Sequence, residues 1–177
     1  MKSVAVMGLG NFGTALANNW IAAGHEVRGW TVEQEVFDSI STKGINEKYL
    51  SDVSLDGIRV SMNIAETMEG AEIVVLALPS AIVLDVVDDI LPHLRNEQVL
   101  LDLAKGLAPG DQMISAVISS KLRSAGLSCG LCVMMGPTIA PELARGVYTT
   151  ALVTSNEVSL AEQLGSDLSF FLIHLII

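Results

Sequence analysis

Short apolar runs alternate along this chain with stretches whose apolar residues recur at helical spacing. The run at residues 4–7 is too short for a helix and predicts a strand, whereas residues 12–23 carry a helical pattern that stops at Gly24, a suitable C-cap glycine. Residues 25–30 predict a second strand. The three segments together predict a compact βαβ unit with parallel strands.

The same alternation continues downstream. Pro79 cannot donate a hydrogen bond to a sheet, so we expect it to end the strand before it, and Ser80 could cap the helix after it. No linker, repeat or low-complexity segment interrupts the pattern, which predicts an α/β fold with a doubly wound, mostly parallel sheet. The further predicted strands are residues 58–62, 71–78, 98–103, 131–135 and 149–154, and the further predicted helices are residues 36–40, 63–69, 81–94, 111–125, 139–145 and 158–164.

Three glycines with the spacing G-x-G-x-x-G separate the first strand from the first helix. Gly8 permits the sharp turn after the strand, Gly10 lets a pyrophosphate approach the backbone, and Gly13 lets the helix pack closely on the strand. The first-turn N–H groups and the positive end of the helix dipole favour an anion. A merely structural turn is the alternative, but the strand and helix on either side favour a Rossmann-like fold and a single dinucleotide-binding domain over residues 1–177.

Composition narrows the functional classes. Half of the 177 residues are apolar and 17% are charged, as expected of a sheet buried on both faces. The formal charge of -10 and the scattering of the 10 basic residues argue against a nucleic-acid partner. Residues 1–177 contain neither a signal peptide nor an apolar stretch of about 20 residues, so we expect no membrane span and a cytoplasmic location.

The cysteines of the chain, Cys129 and Cys132, form a C-x-x-C motif. Such a pair can be a redox site or half a zinc site, but the sequence offers no second metal-ligand pair. The motif also leads into the apolar run at residues 131–135. We therefore expect two reduced, structural thiols and no metal site.

Ligands of open parallel sheets bind beyond the carboxyl ends of the strands. The Gly8 loop and residues 79–80, 105–106 and 136–138 all follow predicted strands and should converge there. A cation directly after a buried strand, as Lys105 is, suits an anionic or reactive ligand, although its ammonium could simply reach water. Thr138 could bind a ligand oxygen or cap the helix after it.

The end of the second strand meets the adenosine ribose in such folds and decides between NAD and NADP. Glu33 and Glu35 are the nearby acids, and no Arg between Trp30 and Gln34 could receive a 2′-phosphate. Both acids could instead open the next helix, where negative charge suits the helix dipole. The pattern favours NAD, with Glu33 at the ribose, and leaves NADP open.

Five motifs, in matching order and spacing, resemble the amino-terminal half of NAD(P)-dependent glycerol-3-phosphate dehydrogenases. The resemblance covers residues 1–154 and implies reversible hydride transfer between glycerol 3-phosphate and a nicotinamide, which yields dihydroxyacetone phosphate. It thereby implies a place in glycerophospholipid metabolism. The motifs are residues 8–17, 46–50, 78–80, 105–106 and 136–142.

The resemblance also implies roles for individual residues. Asn11, Phe12 and Ala140 would contact the cofactor, Gly136 and Thr138 would contact a small phosphorylated substrate, and Lys105 would contact both. With the residues singled out above, the predicted cofactor site consists of Gly8, Gly10, Asn11, Phe12, Gly13, Glu33, Pro79, Lys105 and Ala140.

In this family an all-helical second domain carries the proton-transfer lysine and an Arg-Asn group for the substrate phosphate. Residues 1–177 contain no counterpart, so we expect a truncated module without its own catalytic residues. It should bind NAD and turn over little, since losing a general acid or base costs about 10²–10⁴-fold in rate. Two other functions stay open: a non-catalytic nucleotide-binding or assembly module, and a related reductase of another small keto compound.

Residues 169–177 form a nearly continuous apolar segment that is too short to span a bilayer. The segment could add a strand to the sheet, or it could pair with a neighbouring subunit and give a homo-oligomer. His174 has no visible catalytic partner and is expected to be packed or to lie at the chain end.

Overall fold

The computed structural model describes residues 1–168 and 173–176, in which an eight-stranded sheet carries helices on both faces beside a two-stranded hairpin. The strands are β1 (Ser3–Met7), β2 (Glu26–Trp30), β3 (Arg59–Ser61), β4 (Ile73–Leu76), β5 (Val99–Asp102), β6 (Leu107–Ala108), β7 (Gln112–Met113), β8 (Gly130–Met135), β9 (Thr149–Ser155) and β10 (Ile173–Ile176). The helices are α1 (Asn11–Ala22), α2 (Gln34–Lys43), α3 (Ile64–Met68), α4 (Val83–Ile90), α5 (Ile114–Ser124), α6 (Ala140–Ala144) and α7 (Val158–Leu168), and a 3-10 turn at Leu91–His93 follows α4.

The sheet has the order β10-β9-β8-β5-β4-β1-β2-β3. Six neighbouring strands, β8, β5, β4, β1, β2 and β3, are mutually parallel. β9 is antiparallel to β8, and β10 is parallel to β9. The sheet is therefore doubly wound and mostly parallel, which confirms the Rossmann-like fold predicted from the alternating pattern.

Two apolar cores lie on the two faces of the sheet. Successive side chains of a strand point to opposite faces, so Val4 and Val6 of β1 pack into one core while Ala5 and Met7 pack into the other. The first core is closed by α1, α2, α6 and α7, and the second by α3, α4 and α5. Burial on both faces explains why the strands are continuous apolar runs instead of alternating ones.

The segment around Pro79 departs from its prediction. β4 ends at Leu76, before Pro79, and the Ala77 amide makes the last ladder-like hydrogen bond, 2.9 Å to the Met7 carbonyl. The next helix begins at Val83 and not at residue 81, and in the described chain neither Ser80 nor any other side chain caps it. The Pro79 carbonyl instead accepts the amide of Val83 at 3.1 Å, so a backbone turn replaces the expected cap.

The region after β5 contains a hairpin that the sequence pattern did not predict. β6 and β7 pair through Leu107 with Met113, and the turn between them contains Asp111, a non-glycine residue with a φ of 57°. The hairpin occupies the start of the helix predicted at residue 111, so α5 begins only at Ile114. A two-residue strand is too short to show a period in the sequence.

The C-terminal strand β10 pairs with β9 of the same chain, Ile173 with Thr149 and Ile176 with Leu152. The prediction that this segment adds to the sheet is confirmed for residues 173–176, while residues 169–172 and 177 and the His174 side chain lie outside the described part of the structure. Pairing with a neighbouring subunit stays a prediction. None of the helices in residues 1–168 and 173–176 has the length and apolar character needed to cross a bilayer.

Both cysteines are buried free thiols in the described structure. Cys132 lies in the core on the α1 side of the sheet and Cys129 in the core on the other side. Burial raises the pKa of each thiol, which disfavours the reactive thiolate. This agrees with the structural role expected for the pair.

Candidate functional site

The strand order creates a crevice near the middle of the sheet. The chain moves from β1 to β2 and β3 on one side and from β4 to β5 and β8 on the other, so the direction of winding reverses between β1 and β4. A cleft of about 910 Å³ opens beyond the carboxyl ends of these strands. Open α/β sheets bind their ligands at this topological position.

Close packing shapes the loop after β1. Gly8 has a φ of +102°, and its amide donates a 3.1 Å hydrogen bond to the Trp30 carbonyl. A Cβ on Gly13 would lie only 2.0 Å from the carbonyl oxygen of Gly8. Glycine is therefore required at both positions, once for the turn and once for the approach of α1 to the loop.

Gly10 differs from the other two glycines because its surroundings are open. Apart from Gly10 and its two chain neighbours, no atom of the described residues lies within 4 Å of a Cβ built on Gly10. α1 begins at Asn11 with no acidic residue in its first turn, and no side chain in the described part of the chain caps it. Open space in front of uncapped N–H groups fits the pyrophosphate of a dinucleotide.

The cleft brings together most of the predicted site residues, although they come from five separate stretches of the sequence. Two predicted residues lie outside its lining: Gly13 is packed between the loop and α1, and Gly136 lies in a neighbouring cavity described below. The predicted residues that line the cleft are Gly8, Gly10, Asn11, Phe12, Glu33, Pro79, Lys105, Thr138 and Ala140.

At the end of β2, Glu33 lies in the wall of the cleft but is not alone there. Tyr49 donates a 2.8 Å hydrogen bond from its hydroxyl to Glu33 Oε1, and the Lys48 ammonium contacts Glu33 Oε2 and Glu35 Oε1. The contacts with Lys48 and Tyr49 lower the pKa of Glu33. Glu33 is therefore a carboxylate in the cleft lining, bonded to Tyr49, which also lines the cleft, and to Lys48, which does not.

The loop that supplies Lys48 and Tyr49 is fastened to the glycine loop by Asn46. Asn46 is fully buried, and its Nδ2 donates to the Leu9 carbonyl at 2.8 Å and to Thr14 Oγ1 at 2.9 Å. The backbone carbonyl of Asn46 accepts the Leu50 amide at 2.9 Å, which closes the loop into a turn. Through Asn46 the glycine loop and the loop that contacts Glu33 are parts of one hydrogen-bonded unit.

On the opposite side of the cleft, Lys105 follows β5. Its ammonium donates a 3.5 Å hydrogen bond to the Gly136 carbonyl at the end of β8, and the side chain is exposed. Thr138 also lines the cleft. Thr138 does not cap α6 in the described structure, because the N-cap residue of that helix is Ile139 and no side chain makes a capping hydrogen bond there. The Lys105 ammonium and the Thr138 hydroxyl are two of the polar groups in the cleft lining, which also includes Ser80 and Asp89.

A second, smaller cavity of about 330 Å³ lies behind Lys105 and includes Gly136 in its lining. A Cβ on Gly136 would lie 2.9 Å from the Thr150 carbonyl oxygen, so this glycine lets β8 approach β9 closely. The cavity also contains Asp102, which is 1% exposed and accepts a 2.9 Å hydrogen bond from the Ala104 amide. Burial raises the pKa of the Asp102 carboxyl.

Sequence reasoning assigned no role to four residues that shape this region, namely Asn46, Lys48, Tyr49 and Asp102. The motif at residues 46–50 was the one signal for the first three, because it matched the family pattern. Asp102 at the end of an apolar run gave a weaker signal, since a charged residue at a strand end is ordinarily solvated.

Comparison with known proteins gives a consistent result. The family model described as NAD-dependent glycerol-3-phosphate dehydrogenase N-terminus matches residues 3–161. A curated glycerol-3-phosphate dehydrogenase (NAD(P)+) from Koribacter versatilis is 32% identical over 171 residues, which are 96% of this chain and 51% of the relative. The counterpart from Anaeromyxobacter dehalogenans is 33% identical over 89% of this chain and 48% of its own length. The chain thus spans about half the length of these relatives.

Solved structures support the fold. The crystal structure of glycerol-3-phosphate dehydrogenase from Coxiella burnetii superimposes on this chain with a TM-score of 0.89 at 24% sequence identity. The superposition covers 98% of this chain and 53% of the Coxiella burnetii chain. The yeast enzyme, from Saccharomyces cerevisiae, gives a TM-score of 0.82 at 20% identity, with 99% of this chain and 56% of that chain covered. At these identities the likeness establishes the architecture.

Proposed function

The chain belongs to the NAD-dependent glycerol-3-phosphate dehydrogenase family, and from this premise we propose that it binds NAD in the cleft and acts in hydride transfer between glycerol 3-phosphate and dihydroxyacetone phosphate. The observation that carries the proposal is the open face of Gly10 in front of the uncapped N-terminus of α1. A pyrophosphate needs both features, namely room at the backbone and unpaired N–H donors.

The two ends of the cleft support a direction for the bound dinucleotide. Glu33 lies three residues beyond the end of β2, where a carboxylate can accept a hydrogen bond from a ribose hydroxyl. Val32 is 67% exposed and lines the same end, in the position where an Arg would be needed to attract a 2′-phosphate. We therefore propose NAD over NADP, with the adenosine at β2 and the nicotinamide toward Lys105.

The residues around Lys105 would hold the substrate. The ammonium of Lys105 can stabilise negative charge on a phosphate or on the developing alkoxide oxygen, and the Thr138 hydroxyl can donate to a substrate oxygen. The nicotinamide, when bound, supplies the hydride chemistry. Residues of this chain would orient the two reactants by holding the pyrophosphate at Gly10 and the substrate at Lys105.

Calorimetry with NAD and NADH, followed by an assay of dihydroxyacetone phosphate reduction, tests the proposal. We expect saturable binding of both dinucleotides, little or no reduction by residues 1–177 alone, and NADH-dependent reduction when the second half of a relative is added. A chain that binds neither dinucleotide at millimolar concentration contradicts the proposal. If the dinucleotide binds but dihydroxyacetone phosphate is not reduced even when the second half of a relative is present, the proposed substrate is wrong.

A further inference from the structure

The end of β2 contains a charge arrangement that the dinucleotide motif alone does not require. The Lys48 ammonium is bound between the carboxylates of Glu33 and Glu35, and the Tyr49 hydroxyl holds Glu33 from the same loop. Lys48 also lies 5.6 Å from the centre of the Tyr49 ring. Four side chains from two separate segments thus fix one another at the ribose end of the cleft.

Only part of this group faces the cleft. Glu33 and Tyr49 belong to its lining, whereas Lys48 and Glu35 do not. The ammonium is therefore separated from a ligand in the cleft by the carboxylate to which it is bonded. The carboxylate of Glu33 that would accept a ribose hydroxyl is the same carboxylate that binds the Lys48 ammonium.

The group carries a net charge of -1, because two carboxylates surround one ammonium. The 2′-phosphate of NADP would lie against the Glu33 carboxylate, and the two negative charges would repel each other. The same carboxylate binds the Lys48 ammonium, which could otherwise offset this repulsion. The 2′-hydroxyl of NAD instead donates to the same carboxylate.

We propose that Lys48 is a phosphate-binding cation kept from the 2′-phosphate of NADP by its two carboxylate partners, so that Glu33 and Glu35 determine the preference for NAD. The inference rests on the proposed function, since it concerns how the same cleft distinguishes NAD from NADP. Glu33 acts directly on the ribose, and Glu35 acts through Lys48 by holding the ammonium outside the cleft. Neutralising both carboxylates leaves a free ammonium beside the ribose.

The backbone around Lys48 supports this expectation, because the loop does not depend on the ion pairs for its place. Asn46 fastens the loop to Leu9 and Thr14, and the Ser39 hydroxyl accepts the Glu47 amide at 3.2 Å and donates to the Ile45 carbonyl at 2.8 Å. Removal of the two carboxylates should therefore leave Lys48 at the mouth of the cleft, where it can donate to phosphate oxygens.

Calorimetric titration of NAD and NADP into four forms of the chain tests the inference. The forms are the wild type, Glu33→Gln/Glu35→Gln, the same double variant with Lys48→Gln, and a control, Lys43→Gln. Lys43 is a matched control because it is also ion-paired on the surface, with Glu47 at 2.7 Å, but lies outside the cleft lining. Urea unfolding of each form verifies that all four are folded.

We expect the wild type and the control to bind NAD at least about tenfold more tightly than NADP, as one charge-assisted contact permits. The double variant should shift the ratio of the two dissociation constants toward NADP by about tenfold or more, and adding Lys48→Gln should remove most of this shift. Equal NADP affinity of the double and triple variants would overturn the role of Lys48. So would a wild type without preference, provided that it binds NAD; a chain that binds neither dinucleotide contradicts the proposed function itself.

Discussion

Asn46 Nδ2 lies 2.8 Å from the Leu9 carbonyl oxygen and joins the loop before β3 to the glycine loop after β1. The same carbonyl accepts the Thr14 hydroxyl at 3.1 Å, so two polar side chains satisfy one buried acceptor. In the described structure the Asn46 Oδ1 atom is buried without a hydrogen-bond partner. Asn46 thus acts through its Nδ2 donor, which joins the loop before β3 to the glycine loop.

Replacing Asn46 with Ala should lower the free energy of unfolding by about 1–3 kcal/mol, because two buried acceptors lose a donor. It should also weaken NAD binding, since the loop that carries Tyr49 loses its attachment. Urea unfolding and calorimetry measure the two effects. Asn18→Ala is the control: Asn18 Nδ2 also donates to a backbone carbonyl, that of Ser54, but near the surface, and should change both quantities less. Equal effects of the two substitutions would contradict the proposed role of Asn46.

The glycines of the motif should separate binding from folding. Gly10→Ala adds a methyl group into open space, so we expect a folded chain, a stability loss of about 1 kcal/mol or less and NAD binding weakened by more than about tenfold. Gly13→Ala adds a methyl group 2.0 Å from the Gly8 carbonyl oxygen and should destabilise the fold by about 1–3 kcal/mol or more. Thermal unfolding and NADH titration of both variants test this contrast. Unchanged NAD affinity in a folded Gly10→Ala variant would show that the pyrophosphate lies elsewhere.

Lys105 should be important for ligand binding and unimportant for folding. Its side chain is exposed, so Lys105→Gln should change the free energy of unfolding by no more than about 0.5 kcal/mol. We expect the affinity of the NADH-loaded chain for dihydroxyacetone phosphate to fall by about tenfold or more, because a charge-assisted contact is lost. Lys121→Gln serves as control, since Lys121 is paired with Asp88 at 2.6 Å outside the cleft lining. A loss of affinity in both variants would indicate a general charge effect, not a site at Lys105.

The buried carboxyl of Asp102 should leave a signature in the pH dependence of stability. Burial raises its folded-state pKa above the ordinary value of 3.8, so the folded chain holds this proton more tightly than the unfolded chain does. Its contribution to stability is fully present below pH 3.8 and is lost as the pH rises through the folded-state pKa, by about 1.4 kcal/mol for each unit of difference.

Asp102→Asn removes this titration while it keeps an oxygen for the Ala104 amide. The difference in unfolding free energy, variant minus wild type, should therefore increase from pH 4 toward neutral pH and then level off. Urea unfolding at several pH values measures the difference, and a constant cost of burying the new amide would shift the whole curve without changing its slope. A difference that does not vary with pH would contradict the raised pKa.

The local parts of this fold could be predicted from the sequence. β1, the turn at Gly8 and α1 follow from a short apolar run, three spaced glycines and a helical period, because each depends on neighbours within a few residues. The places where the prediction was wrong are also local: the hairpin at Leu107 is too short to show a period, and the turn after Pro79 is made by backbone carbonyls instead of Ser80.

Except for the β6–β7 hairpin, the order of strands and helices, the burial of the sheet on both faces and the glycine turn follow from the sequence, since apolar spacing and glycine conformation are properties of short segments. The folded chain alone brings Asn46 to Leu9, 37 residues away, and Lys48 to Glu33, 15 residues away. It also encloses the Asp102 carboxyl between β5, β8 and the start of α5. Such contacts depend on which loops lie close together in the folded chain, and the apolar periodicity of the sequence does not predict them.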